Sequence, residues 1–141
     1  MGGLLLSIGL AIFNFSFKEL ILASTAKESQ ISFFAADAGT ECALFHDQQN
    51  SAFNTSNPAT AIVCGEQTVG VTTGSVVRGG QAAVTRRFEW LLPDGSCTDV
   101  TVYKFTSANR TEIDSRGFNV ACDSDSPRKT ERAIRVIYGG L

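Results

Sequence analysis

The side chains best suited to chemistry are few and scattered. Four cysteines stand at 42, 64, 97 and 122, beside a single histidine, His46. No two cysteines form a CxxC pair, so the spacing of a zinc ribbon or a redox dithiol is absent. An even count behind an apolar N-terminal segment predicts two disulfides and an oxidising exterior. The bland alternative is four buried free thiols. His46 falls where a helix should be ending, and an imidazole there serves the helix C-terminus. Hydrolytic or metal chemistry needs convergent partners that its neighbours do not offer, and there is no GxSxG elbow. Asp123 and Asp125 alternate in CDSDSP. Oxygen-rich loops bind calcium, but the EF-hand spacing is missing and Asp/Ser turns are common for backbone reasons. No residue is therefore assigned to catalysis, a cofactor or a metal. Asn54 and Asn109 head sequons, a pattern that also arises by chance.

Charge excludes a further class. The formal net charge is −2 over 141 residues, which gives no electrostatic case for nucleic acid. Arg128, Lys129, Arg132 and Arg135 cluster near the C-terminus and read as a solvated strand edge.

These residues must be positioned by a long spine. Residues 1–17 carry no charge and are dominated by Leu, Ile, Ala and Phe. Such a surface belongs in lipid or in a packed bundle. Lys18 and Glu19 interrupt it, and Leu20 to Ala23 resume it. After Ala26 the pattern turns amphipathic. Ile31, Phe34, Ala35, Ala38, Cys42 and Phe45 recur at three- and four-residue steps and predict one face that meets a sheet. No proline precedes Pro58, so nothing forces a break. The chain thus divides into an apolar helix half (residues 1–26), an amphipathic half (27–47) and a β-rich domain (48–141).

Within that domain, residues 48–60 read as a polar loop. Short strands are expected at 61–64, 68–73 and 75–77, punctuated by glycines. Longer ones follow at 85–92, 99–105, 111–120 (bent near Gly117) and 133–138. A long helix followed by a meander implies an α+β fold. Four cysteines allow three pairings. A hairpin turning at residues 107–110 brings Cys97 and Cys122 nearly opposite one another. Cys42, on the apolar stripe, is left for Cys64 at the end of the first strand.

The uncharged segment, the Lys18-Glu19 pair and the run ESQISFFAADAGTECALFHD (residues 28–47) resemble the type IV pilin superfamily of pilins, minor pilins and pseudopilins. DSRG (114–117) and CDSDSPRKTERAIRVIY (122–138) are similar to such proteins as well. The resemblance implies a pilin-like fold and a structural, non-enzymatic subunit of a pilus, secretion or DNA-uptake filament. It also implies a single-pass membrane helix, an extracytoplasmic domain, and other pilin-like subunits as partners through the helix. Pilins carry a basic leader ending in Gly. None is identifiable before Leu4, so the expectation is a chain that starts internally or escapes processing. Two other readings stand beside it. One is a single-span anchor for an exported binding module or adhesin. The other is a cleaved signal with Ser24-Thr25-Ala26 as its small-residue site, although Lys18 and Glu19 break its apolar core.

Overall fold

The structure, a computed structural model, describes residues 2–140. Met1 and Leu141, the ends of the expected apolar segment and globular domain, lie outside the described residues, as do the side chains of Leu4 and Leu5. One helix, α1 (Gly2–Asn50), is followed by seven strands. Its 49 residues make it roughly 75 Å long. It runs past the expected end to Asn50, where Ser51 takes a left-handed φ of 49°. The amide of Ala52 then returns to the carbonyl of His46 at 3.0 Å, closing the helix end.

Strands β1 (Ala61–Cys64) and β2 (Gln67–Gly70) form a two-stranded antiparallel ribbon. Strands β3 (Thr72–Arg78), β4 (Gln81–Leu91), β5 (Cys97–Phe105), β6 (Arg110–Phe118) and β7 (Glu131–Gly139) form a five-stranded meander, each pairing antiparallel with the next. The fold is therefore α+β, a long N-terminal helix against a small antiparallel sheet. The single strand expected over 68–73 is divided at Val71, whose amide bonds the Thr60 carbonyl at 2.8 Å. The chain there leaves its pairing with β1 for a pairing with β4. Strand β4 also starts earlier than expected, because Gly79 and Gly80 hold φ of 59° and 77°. Two left-handed residues make the tight primed turn that joins Arg78 to Gln81.

Helix α1 lies across β5, β6 and β7. The face that meets them corrects the expected stripe. Phe34 and Phe45 point outward, 66% and 57% exposed, while Ile31 and Ala38 are only half-buried. Of the six residues of the expected stripe only Ala35 is fully buried, and it is joined by Ser32, Ala36, Gly39, Thr40, Ala43 and His46. The physical reason is size. Phenylalanines would hold the helix off the sheet, whereas small residues let the backbones approach. A Cβ on Gly39 would come within 2.7 Å of Ser115 Oγ and 2.8 Å of Val100 Cγ2. Ser115 Oγ donates to the Ala36 carbonyl at 2.7 Å and lies 3.0 Å from Thr98 Oγ1. Farther along, Ala43, Phe53, Ile62, Phe88, Val100, Val102 and Ile113 make the apolar core, with Phe53 and Phe88 stacked.

Candidate assembly surface and the clusters around it

The helix has two environments. From residue 6 to residue 27 every described side chain is exposed, including Leu6, Leu10, Phe13, Phe15, Leu20 and Leu22 at 57–74% or, for Ile8 and Ile21, 51%. At 1.5 Å per residue this stretch spans about 33 Å, close to the hydrocarbon thickness of a bilayer. By length and composition α1 is the one described helix long and apolar enough to cross a membrane. The folded domain takes hold where this stretch ends. Ile21, Ser24, Thr25 and Glu28 face Pro127 to Thr130 of the β6–β7 loop across an open hollow. Ser32 Oγ lies 2.8 Å from the Thr130 carbonyl, and Arg132 Nε donates to Ser29 Oγ at 2.8 Å.

Two disulfides fasten the domain. Cys42 is joined to Cys64 and Cys97 to Cys122, with Cα separations of 5.7 and 5.4 Å. The first ties helix to β1. The second ties the start of β5 to the β6–β7 loop, four residues beyond Phe118, the register partner of Cys97. These are the pairs expected from the strand map.

His46 is buried, and its Nε2 lies 2.8 Å from the Val63 carbonyl. A carbonyl only accepts, so Nε2 carries the proton and Nδ1 accepts from the Asn50 amide at 3.1 Å. Both ring nitrogens are thereby used in closing the helix end against β1. One residue on, Asp47 takes a 2.6 Å ion pair from Lys104 and a short hydrogen bond from the Tyr138 hydroxyl. Burial, then the Asp47 carboxylate, push the Tyr138 phenol well above its usual range. Asp47 was not singled out by the sequence. Its place on the half-buried edge of the helix end, six residues beyond Glu41, was the only signal.

The outward face of the meander is a lattice of ion pairs. Arg87 is held by Asp99 and Glu89, Arg116 by Glu131, and Asp114 by Arg78 and Arg135. Burial pushes the Asp114 carboxyl up, but hydrogen bonds from Arg135 and Arg78 outweigh it and hold the group below the ordinary aspartate range. The Arg116 hydrogen bond likewise holds Glu131 down against burial. A depression of about 390 Å³ over this lattice is lined by charges already paired with one another. The C-terminal basic cluster is partly absorbed in the same way: Arg135 goes to Asp114, Arg132 to Ser29, and Lys129 to the Cys122 carbonyl at 2.7 Å.

Arg86 was also missed. It is 1% exposed on the inner face of β4 and has no carboxylate partner among the described residues. Nη2 donates to the Asn54 carbonyl at 3.0 Å and Nη1 to the Thr85 carbonyl at 3.1 Å, so it pins the residue 51–60 loop to the sheet. Burial pushes its pKa down. Asp123 and Asp125 are exposed on the β6–β7 loop. Among the described residues no group of three His, Cys, Asp or Glu side chains converges to hold a metal ion. No family model matches the chain, and no curated protein or solved structure is detectably similar to it.

Proposed function

We propose that the protein is a structural subunit of a pilin-type filament, held in the membrane by α1 until it assembles. The observation that carries this reading is the division of one unbroken helix. Its distal half is locked to a disulfide-bonded domain, while its proximal half leaves a long apolar surface, interrupted by Lys18 and Glu19, uncovered. Such a surface is satisfied equally by lipid or by equivalent helices. A subunit that passes from membrane to filament needs that equivalence. No catalytic group is required, and other pilin-like subunits are the partners. The domain lies outside the cytoplasm, where its disulfides persist.

The test compares the full chain with a variant lacking residues 1–26 in cells of the source organism. The full chain should occur both in the membrane and in filaments sheared from the surface, and the variant in neither. Full-length protein confined to the membrane, with no sheared fraction, would count against assembly.

A membrane-anchored binding module is the second reading, and one feature favours it. Strand β3 is an open sheet edge, exposed from Thr72 to Val77 and free of charge until Arg78. Edges of this kind accept an added strand. In that case the variant lacking residues 1–26 would keep its binding activity in solution.

A further inference from the structure

The hollow between α1 and the β6–β7 loop has a volume of about 390 Å³ and a charged lining. Contacts of Ser32 with the Thr130 carbonyl and of Arg132 with Ser29 close it on the domain side. On the other side it runs down the helix to Ile21, which is 51% exposed. Two opposite charges line it, Glu28 from the helix and Arg128 from the loop. They do not pair with each other, and neither side chain has another partner among the described residues. Lys129, the other cation of the lining, is turned to the Cys122 carbonyl and the Phe118 ring.

The depth of the hollow follows from the helix. Leu20 and Leu22 are 70% and 69% exposed, and the apolar run ends at Ala23, before Ser24 and Thr25. In a bilayer the edge of the hydrocarbon therefore falls at Ala23. Lys18 and Glu19 lie roughly 6–8 Å below that edge, a distance that long side chains cover. Residues 24–28 occupy the next roughly 7 Å, which is the thickness of one headgroup layer. The hollow thus stands at the level of lipid phosphates. A purely anionic headgroup there sets its charge against Glu28. A choline headgroup has no N–H to give to a carboxylate. An ethanolamine headgroup brings a phosphate for Arg128 and a primary ammonium for Glu28, each as a charge-assisted hydrogen bond.

We propose that this hollow binds the headgroup of a zwitterionic aminophospholipid of the phosphatidylethanolamine type. Arg128 holds the phosphate, Glu28 holds the ammonium, and an acyl chain runs down the helix past Ile21. The proposal rests on the membrane-held state of the reading above. A lipid in this place ties the β6–β7 loop to the bilayer surface and is given up when the chain leaves the membrane.

The experiment is native mass spectrometry of the full chain, released from mild detergent that holds equal amounts of phosphatidylethanolamine, phosphatidylglycerol and phosphatidylcholine with identical acyl chains. The phosphatidylethanolamine adduct should outnumber each of the others about fivefold, the scale of one exposed ion pair. Arg128→Gln should reduce that adduct about fivefold as well. Glu28→Gln should shift the preference to phosphatidylglycerol, a change that loss of folding does not produce. Soluble phosphoethanolamine in excess should leave the lipid adduct in place. Displacement by it would assign the hollow to a free solute and overturn the lipid site. Equal adducts of the lipids, a wild-type preference for phosphatidylglycerol, or a preference untouched by Glu28→Gln would overturn it too. Flotation of the wild-type chain with liposomes separates the site from the reading beneath it. If the chain floats and shows no preference, the headgroup site falls while membrane anchoring stands. If it does not float, both fall.

Discussion

The backbone of Gly117 rests against the carbonyl of Ser32. A Cβ at position 117 would overlap that oxygen and the amide nitrogen of Ala36. Neither obstacle is a side-chain tip that could swing aside, so the helix would have to lift from β6. Gly117→Ala should therefore cost about 3 kcal/mol or more, at the upper end for overpacking. Gly39→Ala is a useful companion. In an open helix it would gain about 1 kcal/mol, but here it meets the Ser115 hydroxyl and the Val100 methyl. Denaturant unfolding should show both variants destabilised, Gly117→Ala more so. A stabilised Gly39→Ala would mean that the helix stands farther from the sheet.

Phe34→Asp should leave the folded domain within about 0.5 kcal/mol of wild type, as exposed substitutions usually do. Ala36→Asp, at a position with no exposure, should abolish protease resistance because it buries a carboxylate without a partner. Equal sensitivity at the two sites would mean that the outward face has been misplaced.

How these residues sort shows what the sequence makes legible. The helix, the meander and both disulfides follow from local patterns: an unbroken absence of proline, alternating strands, and the distance of Cys97 and Cys122 from a common turn. The docking face does not. Hydrophobicity ranks Phe34 and Phe45 above Ser32 and Gly39, yet close approach selects for smallness, and nothing in a single sequence separates a phenylalanine that packs inward from one left exposed. Asp47 and Arg86 were hidden for a related reason. Their partners, Lys104, Tyr138 and the Asn54 carbonyl, come from segments 32 to 91 residues away. The break at Val71 depends on which neighbour each half of the stretch pairs with, which is a property of the sheet.

Asp47 and Lys104 are both largely withdrawn from water, with side chains 6% and 18% exposed. Removing one partner of such a pair strands the other. Asp47→Ala should cost about 3 kcal/mol, and Lys104→Met combined with Asp47→Leu should recover most of it. Thermal unfolding of the three variants checks this. An additive loss in the double variant would show that the two groups act independently.

Acid should weaken the domain through its outward lattice. Asp114 and Glu131 are held below their ordinary carboxylate values in the folded state. Their contribution is complete above the unfolded pKa, about 3.9 for Asp and 4.3 for Glu, and is lost as pH falls through the depressed folded values. Urea midpoints measured from pH 6 to pH 2.5 should therefore decline below about pH 4.5. Asp114→Asn should start lower and decline less. An unchanged slope in Asp114→Asn would assign the acid sensitivity elsewhere.

The placement of the bridges also governs how the chain behaves as a mechanical element. Pulled by its two ends, the chain carries tension directly from Cys42 to Cys64 and from Cys97 to Cys122, across sequence separations of 22 and 25 residues. At about 3.4 Å per extended residue these shortcuts withhold roughly 160 Å of contour from any extension. Strands β5 and β6 lie wholly inside the second loop. An overstretched chain could lose its helix, β3, β4 and β7 and still keep that central hairpin threaded, unbroken and ready to receive them again when the load is released.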